Sequence, residues 1–194
     1  GIYQDLGNMA KGKESILHAL KVNPNHYPSA WNLQSYASNI SQAEESIRLA
    51  ININPKEPEP QIILAALKYH QGDTSLISRT LRSQYKNHPF CRSVKWVFEL
   101  PNTPLIFFNR WSLFDHMIEI CETGRPFYEF GVWNGASFKY LIKSLHTGFG
   151  FDTFEGLPED WHTVKAGRYS AFGSIPKIKG GNFIKGKFEE TLPT

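Results

Sequence analysis

Three prolines, Pro24, Pro55 and Pro89, each follow an amphipathic helical stretch, and they recur at intervals of 31 and 34 residues. This recurrence constrains the fold more than any other feature, because a self-similar period of about 34 residues belongs to stacked helix pairs. Small or apolar residues recur at fixed offsets from each proline. Ala19, Ala50 and Gln84 lie five residues before it, and Ile16, Ile47 and Leu81 lie eight before it. Gly7 and Gly72 lie seventeen before, where a turn between the two helices of a pair belongs, and Ser38 takes that place in the middle unit. The physical logic is that a helix pair exposes an apolar stripe that only a neighbouring pair can bury. Small residues let the helices approach, the aliphatic residues fill the seam, and the proline ends the second helix by disfavouring helical geometry in the residue before it.

The stretch LGNMAKGKESILHALKVNPN resembles the tetratricopeptide repeat. The other two copies depart from that pattern: Gln84 replaces the small residue, and the middle unit is three residues short in its first helix. The resemblance implies a helical repeat array over residues 1–89 that binds a protein partner or a large acceptor. The plain alternative is an ordinary helical bundle whose prolines fall at these intervals by chance.

Composition narrows the classes. With 41% hydrophobic residues the chain can bury a core, and its formal charge of +3 is too small to argue for nucleic acid. No apolar run reaches the roughly 18–20 residues of a membrane span, and no signal-peptide pattern opens the chain. Cys91 and Cys121 sit in no metal-type or redox spacing, so a cytoplasmic protein with buried thiols is expected. The seven histidines show neither H-x-x-x-H nor H-E-x-x-H spacing and read as surface or packing residues. The chain opens at Gly1 without a methionine and stops at Thr194, so it is expected to be part of a longer protein.

Residues 90–109 are aromatic, contain Pro101 and Pro104 and lack a long helical period, so they read as a connector. A helix is expected over residues 110–122, where Trp111, Phe114, Ile118 and Cys121 share a face. A buried strand is expected over 127–132. GVWNGAS follows, then a helix with Phe138, Leu141, Ile142 and Leu145 on one side and Asn134 as its N-cap, then a second strand over 149–154. The order strand, glycine turn, helix, strand, acid is that of half a doubly wound α/β unit. Gly131 and Gly135 permit a tight turn and a close approach of backbone to a ligand, and Asp152 sits where an acid accepts both hydroxyls of a ribose. Trp133 occupies the position that dinucleotide-binding loops keep free for a pyrophosphate, which argues against NAD. A ribose-bearing cofactor without a pyrophosphate, such as S-adenosylmethionine, meets both conditions. A glycine turn after a strand is also common without any ligand.

The three blocks EFGVWNGASFKYL, GFGFDTFEGLPEDW and FIKGKFEETLP resemble the macrocin O-methyltransferase family of class I S-adenosylmethionine-dependent methyltransferases. The resemblance covers about residues 105–194. It implies a Rossmann-like domain, of which residues 110–194 would be the N-terminal, incomplete part. It also implies methylation of a sugar, glycan or other small-molecule hydroxyl, with a divalent metal such as Mg possible in the complete protein. Cofactor-binding roles fall on Glu129, Gly131, Trp133, Gly135 and Ser137, on Asp152, and on Thr153 and Glu155. Two of these have plain structural readings as well: Glu129 as a strand-end carboxylate capping the helix, and Glu155 as a stabiliser of the turn before Leu157. Residues 183–188 would form a third strand. The family's metal ligands and presumed base would lie beyond residue 194, so the chain alone is expected to be inactive. Residues 161–181 read as an exposed loop or as a lid over the cofactor, with Lys165, Arg168, Lys177 and Lys179 favouring an acidic acceptor in the second case. The competing function is a repeat-based interaction module carrying an inactive or truncated methyltransferase-like domain.

Overall fold

The computed structural model describes residues 7–192, so the two chain ends at Gly1 and Thr194 lie outside the described residues. The described chain divides into two compact units, one over residues 8–112 and one over 113–192.

The first unit is helical: α1 (Met9–Val22), α2 (Tyr27–Leu33, continued by a 3-10 turn Gln34–Tyr36), α3 (Ile40–Ile53), α4 (Pro58–His70), α5 (Ser75–Thr80) and α6 (Pro89–Phe98). Pro24 and Pro55 act as expected. The residues before them, Asn23 (φ −134°, ψ 95°) and Asn54 (φ −137°, ψ 87°), have left helical geometry, and their N–H groups close α1 and α3 on the Ala19 and Ala50 carbonyls. Asn8 and Asn39 begin the same two helices, each side chain accepting an N–H three residues on. Ala43, Ile47 and Ala50 are fully buried, and Ala43 and Ile47 form a core with Leu64 and Leu67 of α4. Glu44 of α3 joins Lys68 of α4 at 2.8 Å; that bond, ahead of the one to Arg48, holds the Glu44 carboxyl below its usual range.

The third proline behaves differently. α5 stops at Thr80, where the Thr80 hydroxyl donates to the Leu76 carbonyl and the Ser83 hydroxyl to the Thr80 carbonyl, which offers the backbone a turn in place of a further helical step. Leu81 and the exposed Gln84 therefore lie in turns, and Pro89 opens α6 instead of ending α5. The expected connector is thus helical over Pro89–Phe98, with Cys91 fully buried, and irregular only after it.

α7 (Arg110–Ile120) matches the helix expected there, except that Cys121 falls past its end and is exposed; burial raises the pKa of the Cys91 thiol. In the second unit, β1 (Phe127–Phe130), β2 (Gly148–Asp152) and β3 (Gly181–Lys185) form a parallel sheet in the order β1-β2-β3. Phe127 pairs with Gly148, and Gly148 with Gly181. The third strand starts earlier than expected and ends at Lys185. Phe188 instead starts a short helix, α9 (Phe188–Thr191), whose first turn carries Glu189 and Glu190.

The helix between the first two strands, α8 (Ala136–Leu145), lays Phe138 and Ile142 on one sheet face. Phe138 sits between Phe127 and Phe183, with both ring centroids 4.7 Å away. Glycine at 148 leaves room for this packing, since a Cβ there would lie 2.4 Å from the Phe127 ring. The opposite face carries the stacked pairs Tyr128–Phe149 and Phe130–Phe151.

A hydrogen bond from the Tyr140 hydroxyl of α8 to Asp115 of α7, with burial second, pushes the Tyr140 pKa up to about 12. The unfolded value is about 10, so this stabilisation is complete below pH 10 and is lost as the pH rises toward 12. The stability advantage of the native protein over Tyr140→Phe should therefore hold steady below pH 10 and shrink above it. An advantage unchanged up to pH 12 would contradict the assignment.

Candidate functional site

The two left-handed glycines and a left-handed tryptophan shape the loop between β1 and α8: Gly131 has φ +89°, Trp133 φ +52° and Gly135 φ +74°. Gly131 N–H donates to the Phe151 carbonyl at 2.8 Å, which extends the sheet ladder by one step, and the chain then turns inward to bury Val132. Trp133 N–H comes next and donates to Asp152 Oδ2 at 2.6 Å; Phe154 N–H donates to Oδ1 of the same carboxylate at 2.7 Å. Asp152 thus ties the end of β2 both to the glycine turn and to the loop that follows it. A left-handed conformation costs a bulky residue about 1–2 kcal/mol. The Trp133 backbone bond to Asp152 and the indole N–H bond to the Ser170 carbonyl at 3.3 Å hold it in place.

Around this junction lies a cavity of about 340 Å³. Gly131, Trp133, Asp152 and Thr153 are on its wall, joined by Phe130, Gly156, Leu157, Pro158, Tyr169, Gly186 and the start of α9. No atom comes within 4 Å of the position a Cβ would take on Gly131, so the backbone there is open to an incoming group.

The other expected site residues are placed differently. The Ser137 hydroxyl donates to the Glu129 carboxylate, which joins β1 to the first turn of α8, and neither residue is on the cavity wall. Gly135 faces Pro176 and Ile178 and acts as the N-cap of α8. Asn134, the expected cap, is one position too early, and its side chain accepts only from Ala136 N–H at 3.2 Å. Glu155 pairs with Lys185 of β3 at 2.7 Å, and the turn is stitched instead by the Thr153 hydroxyl, which donates to the Gly156 carbonyl at 3.0 Å.

Residues 161–181 fold as a strap held by backbone bonds. Leu157 N–H donates to the Arg168 carbonyl and Gly167 N–H to the Leu157 carbonyl, both at 2.9 Å, while Ala171 and Gly173 N–H both reach the Phe154 carbonyl. The strap brings Tyr169 edge-on to Trp133, with centroids 6.2 Å apart. Lys165, Arg168, Lys177 and Lys179 are exposed and off the cavity wall. Tyr169 and Phe188 are aromatic wall residues absent from the expected cofactor contacts, although the end of the 183–188 block was expected to border the adenine. The signal for Tyr169 was an aromatic residue directly after the Gly167–Arg168 turn; for Phe188 it was the pair of acids that follows, typical of a helix start.

Among the described residues, no group of three or more His, Cys, Asp or Glu is gathered so that it could hold a metal ion. Also among the described residues, no helix is long and apolar enough to cross a membrane. Comparison with known proteins found no matching family model, no significantly similar curated protein and no significantly similar solved structure.

Proposed function

We propose that the second unit is the cofactor-binding part of a Rossmann-like, S-adenosylmethionine-dependent O-methyltransferase of the macrocin O-methyltransferase type, acting in the cytoplasm on a sugar or other hydroxyl acceptor. On this reading the first unit is a tetratricopeptide-type array that engages a partner or the acceptor. The observation that carries the proposal is the Asp152 carboxylate, joined to the glycine turn through Trp133 N–H and standing on the wall of a 340 Å³ cavity at the ends of parallel strands. Ligands of open parallel sheets bind at that edge.

The donor set suits an adenosyl group. Oδ2 of Asp152 accepts the Trp133 N–H and keeps a lone pair for one ribose hydroxyl, while Oδ1 accepts the Phe154 N–H and has the Thr153 hydroxyl at 3.5 Å, a long contact that a second ribose hydroxyl would replace. Gly131 supplies backbone without a side chain, and Trp133, Tyr169 and Phe188 supply aromatic surface. When bound, the cofactor supplies a methyl group on a sulfonium. The chain's own contribution is to orient that cofactor and to narrow its access to water, which is how binding lowers the barrier of an in-line displacement. Proton removal from the acceptor is assigned to no residue of this chain.

Asp152→Ala is expected to weaken binding of S-adenosylhomocysteine at least tenfold, whereas Glu155→Ala, whose carboxylate pairs with Lys185 off the cavity wall, should change it less than threefold. Binding is read by two-dimensional NMR titration. Equal effects of the two substitutions would contradict the reading.

A further inference from the structure

One imidazole joins the starts of two helices in the first unit. His88 precedes α6, and its Nδ1 accepts the Phe90 N–H at 3.2 Å. A ring nitrogen that accepts a hydrogen bond carries no proton, so neutral His88 holds its proton on Nε2. Nε2 lies 3.5 Å from the carboxylate of Glu59, in the first turn of α4. The Phe90 ring stands edge-on to the imidazole, with centroids 5.5 Å apart. The next residue in that first turn, Cys91, is fully buried. Glu59 is the charged group that faces the ring from α4. Behind it, Tyr27 of α2 stays uncharged below pH 8, because burial first, and then Glu57 and Glu59, push its pKa up. Lys86 and Arg92 flank His88 in the chain; both are exposed, and among the described residues neither bonds to the ring.

Protonation changes both ends of this bridge. The second proton must go to Nδ1, which can then only donate, so the Phe90 N–H loses its acceptor. The imidazolium also brings positive charge to the helix end where a cation is unfavourable. On its other side, the same charge strengthens the pairing with Glu59. Histidine is the side chain that takes up a proton between about pH 8 and pH 5. We infer that His88 is a proton-operated latch on the first turn of α6: neutral, it caps the turn and keeps Cys91 enclosed; protonated, it pairs with Glu59 and lets the turn open to expose the thiol. The inference concerns the first unit only and stands whether or not the second unit binds a nucleoside cofactor.

The test uses the whole chain and a dipyridyl disulfide, with labelling of Cys91 and of the exposed Cys121 read separately by peptide mass spectrometry. Dividing the Cys91 rate by the Cys121 rate removes the pH dependence that both thiols share and leaves the opening equilibrium of the α6 turn. From pH 8 to pH 5 this ratio is expected to rise about fivefold, the size of losing one helix cap. His88→Asn keeps a capping acceptor that does not titrate, so its ratio should stay flat. Amide exchange at Ile47, corrected for pH, should not accelerate in parallel, which separates a local opening from unfolding of the unit. The native chain also gives a readout that needs no variant: at pH 8 the ¹⁵N signals of the His88 ring should be those of the Nε2-protonated tautomer. A flat ratio in the native chain overturns the inference. So does a rise that persists in His88→Asn, a parallel acceleration at Ile47, or an Nδ1-protonated ring at pH 8.

Discussion

Truncating Phe138 to alanine should cost the second unit about 3–5 kcal/mol, the range for removing a fully buried aromatic ring. Phe138 is 0% exposed, its ring lies between Phe127 and Phe183, and it shares a core with Val132, Ile142 and Phe154. Because the same core holds the loop that carries Trp133, the loss should also blur the cavity. The near-UV circular dichroism of the aromatic cluster should collapse at a lower temperature, and hydrogen exchange in β2 and β3 should accelerate. Tyr128→Ala supplies the internal control: this residue is on the opposite sheet face and 57% exposed, so its truncation should cost well under half as much. Similar losses from the two substitutions would mean that the core has been assigned to the wrong face.

Gly156→Ala should come next, at about 2–4 kcal/mol. Gly156 has φ +93°, a conformation that costs an alanine about 1 kcal/mol or more. A Cβ there would also lie 2.5 Å from the Gly167 carbonyl oxygen and 2.7 Å from that of Arg168. Those are backbone atoms of the strap and cannot rotate away, so relieving the clash must open the Leu157–Gly167–Arg168 hydrogen bonds, adding the usual cost of overpacking. Gly167→Ala separates the two contributions. It has φ +79° and nothing within 4 Å of its Cβ position, so only the conformational cost applies. Thermal unfolding should place Gly156→Ala well below Gly167→Ala. The Tyr169–Trp133 contact, read from tryptophan fluorescence, should loosen only in the former.

How much of this was legible in the sequence follows from which interactions are local. Pro24 and Pro55 end helices because an X-Pro bond restricts the residue before it, and Asn23 and Asn54 show that restriction directly. Pro89 looks the same in sequence but sits at the first position of α6, a role proline fills equally well; only the early stop of α5 at Thr80 separates the two cases. The β1–turn–α8–β2 order was readable because glycine spacing and the period of Phe138, Leu141, Ile142 and Leu145 are short-range signals. The division of labour among the site residues was not. Whether Glu155 faces a ligand or Lys185 depends on where β3 lies, thirty residues on, and no local pattern encodes that. The same holds for Tyr169, which reaches the cavity wall because two backbone bonds fold the strap against Leu157.

The central claim, that the cavity at the Gly131–Trp133 turn receives an adenosyl cofactor through Asp152, is tested most directly by NMR titration of the ¹⁵N-labelled chain with S-adenosylhomocysteine to millimolar concentration. The account predicts concentration-dependent shifts of the Gly131, Trp133 and Gly156 backbone signals and of the Trp133 indole N–H, all suppressed in Asp152→Ala. Absence of any shift, or shifts confined to residues off the cavity wall or undiminished in Asp152→Ala, would contradict it.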